Sequence, residues 1–275
     1  MYTLSVSLYP YSMSIIDIFI LAVTQGLTEF LPISSSGHLI LARLFFGISD
    51  VDGTSLDAFL HIGTLLALLA YYWRDWWKLI QSVVAWSDQS KTTDRRVLAL
   101  LVIASIPAVI VGFWWPEWLD AKLRSSSSLI WQLIITALAL VVGEWLPKRE
   151  RNYQSLSIKE SVLIGLAQAF AIIPAISRSG MTIATARAQG LKPEDAVHFS
   201  FLMAAPVLAG AGLLSLRRLF EDAWPVEQLL FGFILSFISG LVGIIILNKL
   251  AKKISLNWFA GYLVVLAFVL WMYAG

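Results

Sequence analysis

Long apolar runs separated by short charged or turn-forming stretches dominate the chain. A run of about 20 apolar residues can cross a bilayer as a helix. The alternation of apolar and polar residues that is typical of membrane strands is absent. The pattern therefore predicts an all-α integral membrane protein with six transmembrane helices, at roughly 56–73, 97–115, 128–146, 196–216, 227–248 and 256–273.

Two further apolar stretches, 15–48 and 161–187, are interrupted by "PISSSGH" and "PAISRSGMT". Each half is too short to cross a bilayer by itself. Non-helical backbone at membrane depth is tolerated only where protein or a water-filled cavity satisfies its polar groups. We therefore expect two re-entrant helix-loop-helix segments within a single membrane domain spanning 1–275.

The two interrupted segments resemble each other. "GLTEFLPISSSG" from Gly26 and "GLAQAFAIIPAISRSG" from Gly165 both open Gly-Leu-x-Glu/Gln, pass a proline and end Ser-x-Ser-Gly. Three predicted spans follow each, which gives repeats at about 15–146 and 161–273. Because three is odd, the second copy must be inverted. Inverted-topology repeats with broken helices meeting near the bilayer midplane form the sites of many transporters.

Composition agrees with a membrane protein. The chain is 58% hydrophobic and 14% charged, with a mean hydropathy of +0.76, whereas soluble domains are about 25% charged. A net charge of +2 is too small to suggest nucleic acid, and the absence of cysteine excludes disulfides and thiolate metal sites. Residues 1–14 lack the basic region of a cleavable signal, so the first apolar stretch is expected to stay in the mature protein.

Lysine and arginine are distributed unevenly between the predicted loops. Fourteen lie in 74–96, 147–160, 187–195 and 249–255, and five lie on the other side. Because cytoplasmic loops carry the excess of Lys and Arg, the larger group is predicted to be cytoplasmic. Both chain ends, including Gly275, and the mouth of the first broken segment then face outward.

The first interruption places Glu29, Ser34, Ser35, Ser36 and His38 where they are not cheaply solvated. Serines are also found at simple helix kinks, where they satisfy freed backbone groups. Inserting a carboxylate into the membrane, however, costs about 2.5–3.5 kcal/mol even on lenient scales of insertion free energy. A helix kink does not explain why the chain carries a glutamate at this cost. A lone histidine is more often a core residue than a catalyst, but this one shares a short segment with an acid and three hydroxyls.

The second interruption supplies a cation, Arg178. Its planar guanidinium suits phosphate oxygens, and the structural alternative is an ion pair with Glu29. A Ser/Gly-rich loop that opens a helix also offers backbone N–H groups to an anion. Together the two interruptions hold the parts of a phosphoryl-transfer centre, in which the neighbours of the arginine are Ser177, Ser179, Gly180 and Thr182.

The stretches "QGLTEFLPISSSGH" and "PAISRSGMT" resemble the two signature motifs of the undecaprenyl-diphosphate phosphatase family, also called the bacitracin-resistance family. The resemblance covers essentially the whole chain. It implies a hydrolase of the bacterial cytoplasmic (inner) membrane that converts undecaprenyl diphosphate to undecaprenyl phosphate, recycling the lipid carrier for cell-wall synthesis. It also implies a divalent cation (Mg²⁺ or Ca²⁺) and a site facing the periplasm. Expected partners are the polyprenyl diphosphate substrate and membrane lipids, not nucleic acid, with a homodimer left open.

Carried over residue by residue, the resemblance implies catalytic roles for Ser35, His38, Glu29 and Arg178, with Glu29 also at the metal. It also places Ser177, Ser179 and Thr182 beside the arginine, and the full set of predicted substrate-binding residues is Ser34, Ser36, Ser177, Ser179, Gly180, Thr182 and Gln25. Gln25 stands where the family often has glutamate, which leaves a second metal-binding carboxylate open. Ala175 follows Pro174 where the family often has glycine, so we expect no glycine-type backbone angle in that turn.

Ser35 is the predicted nucleophile and His38 the predicted general acid/base, since its ordinary pKa is about 6.5. The reverse assignment and direct attack by water stay open. Glu29 would ligate the cation or deprotonate the nucleophile. If the two breaks form one site, the Ser35 hydroxyl and the nearest Arg178 nitrogen should lie roughly 4–8 Å apart. Glu29 and His38 should then border one cavity, which is expected to open beside a lipid-accessible groove.

Asp57 and His61 are weaker candidates for a substrate or metal contact, and Asp57 equally suits a helix cap. A transporter is the rival class, because inverted repeats with broken helices suit alternating access. A structural scaffold would leave Glu29 and Arg178 unexplained. The hydrolase is favoured because an acid, a hydroxyl and a histidine are grouped in one segment.

Overall fold

The structure is a computed structural model that describes residues 13–48, 53–114, 122–146, 150–221 and 224–274. Gly275, which is predicted to face outward, lies outside these ranges. Within them the chain is helical and contains no named strand, so the all-α prediction is confirmed. The helices are α1 (Ile15–Glu29), α2 (Ser35–Phe46), α3 (Gly53–Tyr71), α4 (Trp73–Val84), α5 (Thr92–Trp114), α6 (Ser126–Trp145), α7 (Ile158–Phe170), α8 (Arg178–Ala188), α9 (Pro193–Glu221), α10 (Val226–Leu250) and α11 (Leu256–Ala274).

Four helices of the described chain are long and apolar enough to cross a membrane, which indicates a multi-pass membrane protein. They correspond to four of the six predicted spans. The remaining two predicted spans coincide with shorter apolar helices inside α3 and α11, at Phe59–Tyr71 and Leu256–Met272. The four longer ones are Gln89–Trp114, Ser127–Trp145, Pro193–Leu213 and Val226–Leu250.

The prediction that 74–96 is a loop is wrong at its start, because Trp73–Val84 forms α4. Trp77 and Ile80 are exposed on this helix, whereas Leu79 is buried. Charged residues alternate with apolar ones along its sequence, so no long apolar run marks it. A short helix with exposed aromatic residues and a polar face is typical of the membrane interface.

Both interrupted segments consist of two short helices joined by a loop. The helices α1, α2, α7 and α8 contain 15, 12, 13 and 11 residues. At 1.5 Å per residue each is about 17–23 Å long, which is less than the bilayer core of about 30 Å. Their lengths therefore agree with the expectation that neither half crosses a membrane alone.

The second helix of each pair begins at a capped serine. The Ser34 hydroxyl accepts a hydrogen bond from the Gly37 N–H at 3.1 Å, and the Ser177 hydroxyl accepts one from the Gly180 N–H at 3.0 Å. Such bonds satisfy N–H groups that a helix start leaves without an intrahelical partner. The two Ser-x-x-Gly stretches therefore fix where α2 and α8 begin.

Both loops contain a residue in the left-handed region. Ser34 has a φ of 72° and Ala175 a φ of 59°. For a residue with a Cβ this conformation costs roughly 1–2 kcal/mol. The expectation that the turn at Ala175 avoids a glycine-type angle is therefore wrong, because the surrounding contacts hold an alanine there.

The innermost of the four candidate spans is in α9. Buried residues make up 61% of its apolar window, against 33–39% in the other three. Phe199 and Phe201 on α9 are fully buried, and the ring of Phe201 meets Phe30 edge to face at 5.3 Å. This contact joins α9 to the loop of the first broken segment.

Glycines let the broken segments pack directly against neighbouring backbone. A Cβ added at Gly165 of α7 would lie 2.4 Å from the Ala104 carbonyl oxygen of α5. One added at Gly26 of α1 would lie 2.6 Å from the Gly240 nitrogen of α10. Small residues at helix crossings permit this close approach in membrane proteins.

Gly165→Ala is expected to lower the melting temperature of the purified protein in detergent, because neither backbone can move away cheaply. Overpacking of this kind typically destabilises by about 1–3 kcal/mol. Gly210→Ala is the control, since a Cβ there would meet nothing within 4 Å and alanine favours a helix. Equal melting temperatures for the two variants would contradict the close crossing of α5 and α7.

Candidate functional site

Glu29, at the end of α1, lies at the centre of a polar cluster formed by both broken segments. The Ser35 hydroxyl donates to Glu29 Oε2 at 2.7 Å, and Gln25 Nε2 donates to the same oxygen at 2.9 Å. Arg178 Nη2 donates to Glu29 Oε1 at 2.8 Å. Because one carboxylate binds both groups, the Ser35 hydroxyl and Arg178 Nη2 are within about 8 Å of each other, which is the reach expected around a phosphate.

Two serines make further reciprocal contacts between the loops. The Ser36 hydroxyl accepts a hydrogen bond from the Ala175 N–H of the second loop at 3.0 Å. The Ser179 hydroxyl donates to the Leu31 carbonyl of the first loop at 2.8 Å. Each Ser-x-Ser-Gly stretch thus uses its first serine as a helix cap and its last serine to contact the other loop.

Arg178 has one nitrogen paired and one unpaired. Its Nη2 forms the ion pair with Glu29 that the structural alternative anticipated. Its Nη1 is buried and has no hydrogen-bond partner among the described residues. Leaving a buried N–H unsatisfied is unfavourable, so this nitrogen is available for an additional acceptor.

A cavity of about 320 Å³ opens beside this cluster. Its apolar wall includes Val207, Leu208 and Ala211 of α9, and Ile172 and Ile173 of the second loop. One cavity therefore combines an apolar wall with a charged and polar surface. The polar residues that line it are Glu29, Ser35, Ser36, His61, Arg124, Gln168, Ser177 and Arg178.

His38 does not line this cavity, so the expectation that it borders the same cavity as Glu29 is wrong. Its Nδ1 lies 2.7 Å from the Ser34 carbonyl oxygen, to which it donates, and its Nε2 lies 2.6 Å from the Tyr262 hydroxyl. The two rings are also nearly parallel at 5.7 Å. Partners on α11 and in the first loop therefore hold the imidazole beside Tyr262.

Most of the residues expected to bind substrate have local structural partners. Ser34 and Ser177 cap helices, as described above. The Thr182 hydroxyl donates to the Arg178 carbonyl at 2.9 Å and lies 2.6 Å from the Ser200 hydroxyl. Gly180 packs so closely on Thr136 that an added Cβ would lie 2.9 Å from its methyl group. Within this set only Ser36 and Ser177 line the cavity.

Asp57 and His61 occupy different positions relative to the cluster. Asp57 forms a buried bidentate ion pair with Arg43, at 2.7 and 3.0 Å, which joins α3 to α2. It does not cap α3, which begins at Gly53. His61 lines the cavity, with Nδ1 donating to the Asp57 carbonyl at 2.7 Å and Nε2 placed 3.4 Å from Glu29 Oε2.

Sequence reasoning missed Arg124 and Gln168 as residues of this cavity. Arg124 is one of the five Lys and Arg residues on the predicted outward side, and nothing in the sequence brings it near the breaks. For Gln168 a signal existed, since it occupies the Glu/Gln place of the second Gly-Leu-x-Glu/Gln stretch. That place corresponds to Glu29 in the first stretch.

The donor atoms around Glu29 determine how a divalent cation fits this site. Among the described residues no group of three or more His, Asp or Glu side chains converges. Mg²⁺ usually binds one or two carboxylates together with waters and substrate phosphates. Hydrogen bonds from Ser35, Gln25 and Arg178 occupy three of the roughly four lone-pair directions of Glu29, so about one is left for a cation. Gln25 Oε1 is buried without a partner in the described chain. The donor set therefore fits a cation shared with a substrate, not a cage made of protein alone.

The fold and the cluster define a class: an integral membrane protein whose polar site is built from two broken helices meeting inside the bundle. The chain matches the family described as Bacitracin resistance protein BacA over residues 18–269. It belongs to that family.

Relatives of similar length share more than a third of their residues with this chain. A protein of Rubrobacter xylanophilus named undecaprenyl-diphosphatase is 38% identical over 256 residues, which cover 90% of this chain and 94% of the relative. Proteins with the same name from Alcanivorax borkumensis and Corynebacterium glutamicum are 38% and 37% identical over 258 and 250 residues. These alignments cover 92% and 88% of this chain, and 97% and 85% of the relatives.

Proposed function

We propose that this chain is an undecaprenyl-diphosphate phosphatase. It hydrolyses the phosphoanhydride of undecaprenyl diphosphate to undecaprenyl phosphate and inorganic phosphate, which recycles the lipid carrier of cell-wall synthesis and confers the bacitracin resistance for which the family is named. The observation that carries the proposal is Glu29, whose carboxylate binds the Ser35 hydroxyl and the Arg178 guanidinium at once. The relatives named for this activity support the same assignment.

Glu29 is placed to accept the proton of Ser35. As the serine oxygen bonds to the terminal phosphorus, its proton passes to Glu29 Oε2, and the bridging P–O bond breaks to release undecaprenyl phosphate. Water then attacks the phosphorus of the phosphoserine, the Ser35 oxygen leaves and takes back its proton from Glu29, and inorganic phosphate is released. Direct attack by a water that Glu29 deprotonates is the alternative, and it differs by forming no phosphoserine. His38 is not required in either route, because Tyr262 and Ser34 hold it outside the cavity.

Positive charge for the phosphate oxygens comes from Arg178 and from two helix starts. The unpaired Nη1 of Arg178 donates to a phosphate oxygen, while Nη2 stays on Glu29. The helices α2 and α8 begin at Ser35 and Arg178, and their N-termini add partial positive charge. Phosphoryl transfer depends mainly on such positioning and charge neutralisation.

A divalent cation, Mg²⁺ or Ca²⁺, would be held by Glu29 together with the phosphate oxygens. When bound it neutralises the developing charge on those oxygens. Arg124, which also lines the cavity, adds a second protein cation for the diphosphate. The prenyl chain stays in lipid beside the apolar wall formed by α9.

The finer architecture that we propose has six transmembrane helices, two re-entrant segments and inverted repeats at about 15–146 and 161–273. Reciprocal packing supports it: α1 packs on α10 while α7 packs on α5, and α3 contacts α10 while α9 contacts α5. The serine caps of α2 and α8 correspond to each other in the same way, and so do the two hydrogen bonds between the loops. Each broken segment is thus supported by a helix of the other repeat.

We further propose that the protein lies in the bacterial inner membrane with its site facing the periplasm. The uneven distribution of Lys and Arg supports this orientation. A C-terminal alkaline phosphatase fusion should therefore be active and a C-terminal green fluorescent fusion dark. The opposite pattern would reverse the orientation and turn the site toward the cytoplasm.

Phosphate release by the purified protein in detergent tests the function. We expect one inorganic phosphate per undecaprenyl diphosphate from the unmodified chain, and release at least 10²-fold slower from Ser35→Ala, as when a group that acts on the transition state is removed. A folded protein that releases no phosphate but moves the lipid across vesicle membranes would be a transporter instead. The melting temperature of each sample checks that loss of activity is not loss of folding.

A further inference from the structure

Gln168 of α7 is the most deeply buried polar side chain in the wall of the cavity. It is 1% exposed. Neither its Nε2 nor its Oε1 has a hydrogen-bond partner in the described part of the chain. Most neighbouring cavity residues have polar partners, so the whole amide of Gln168 stands apart from the network around Glu29.

A buried amide without partners is unfavourable, and native proteins seldom keep one. An apolar side chain of similar shape would avoid this penalty. The presence of glutamine therefore indicates a polar partner that enters the cavity. The same cavity holds Arg178 with its unpaired Nη1, so two buried donors without acceptors line one space.

The chemistry of the amide suggests which partner it accepts. Gln168 occupies the place in the second Gly-Leu-x-Glu/Gln stretch that Glu29 occupies in the first. A second carboxylate would add negative charge where an anionic head group must bind. An amide instead contributes a neutral N–H donor, which suits a phosphate oxygen.

We propose that Gln168 Nε2 donates a hydrogen bond to a phosphate oxygen of the bound prenyl diphosphate, which makes Gln168 a substrate-binding residue. The inference rests on the proposed function of this cavity and adds a contact to it. Oε1 accepts from water in the remaining space, since the cavity of about 320 Å³ holds more than the amide's phosphate partner.

Gln168→Met tests the contact, because methionine has a similar length and no donor. With farnesyl diphosphate as a short soluble substrate, KM should rise roughly tenfold or more, the size expected for a hydrogen bond to a charged group, and kcat should change little. Uniform binding of ground state and transition state has this signature. The melting temperature without substrate should stay the same or rise, because an unsatisfied buried amide has been removed.

Gln132→Met is the matched control. Gln132 is also buried, but its Nε2 donates to the Leu123 carbonyl at 2.9 Å and it does not line the cavity. This substitution should lower the melting temperature and leave KM within about twofold, because it removes a structural hydrogen bond. Gln168→Met is thus expected to raise KM without lowering the melting temperature, and Gln132→Met to lower the melting temperature without raising KM.

Three results would overturn the assignment of Gln168. If Gln168→Met left KM unchanged and lowered the melting temperature, Gln168 would be a structural residue. If the variant left KM unchanged and lowered kcat, the amide of Gln168 would bind a water molecule and not the substrate. Thermal stabilisation by farnesyl diphosphate, measured in the same samples, separates binding from hydrolysis. If the unmodified protein is stabilised but releases no phosphate, the phosphatase proposal fails; equal stabilisation of Gln168→Met would refute the contact itself.

Discussion

Replacing Arg178 with lysine is expected to lower kcat/KM for phosphate release by about 10²-fold or more, the loss seen when a transition-state donor is removed. The charge is kept, but the two arms of the guanidinium are not. Nη2 binds Glu29 and Nη1 is left for the substrate, and a single ammonium does not reproduce this planar fork. A lysine variant with near-normal turnover would reduce Arg178 to a structural partner of Glu29.

Glu29→Gln is expected to be similarly damaging, because the amide neither accepts the Ser35 proton nor balances Arg178 and a cation. Phosphate release at saturating metal should fall by about 10²-fold or more. Gln25→Ala is the graded comparison: it removes one hydrogen bond to Glu29 and should reduce kcat/KM by about tenfold or less. If Gln25→Ala proved the more damaging of the two, Glu29 would not be the central group. Melting temperatures of both variants show whether the protein is still folded.

The meeting of the two broken segments was predictable because the signal is local in each one. Proline and Ser-x-Ser-Gly mark the end of one helix and the capped start of the next, whatever the surrounding bundle does. Opposite charges inside a membrane are expected to pair, and Glu29 and Arg178 do so across 149 positions of sequence. The all-helical class followed from the same apolar runs.

Features decided by tertiary contacts were not predictable. The direction of the His38 ring depends on Tyr262, which is 224 positions away. Ala175 keeps a left-handed φ because contacts such as the bond from its N–H to Ser36 hold the loop. α4 carries charged residues between its apolar ones, so no long apolar run marks it in the sequence. Gln168 resembles any other helix glutamine until its burial and missing partners are seen.

The central claim is that the two broken segments act on one phosphate, and a double-mutant cycle tests it most directly. Phosphate release from undecaprenyl diphosphate would be measured for Ser35→Ala, Arg178→Lys and the double variant, all verified as folded. Groups that act as a unit are strongly non-additive, so the double variant should be about as slow as the slower single variant. Losses that simply multiply would show that Ser35 and Arg178 act independently and would contradict a shared phosphoryl-transfer site.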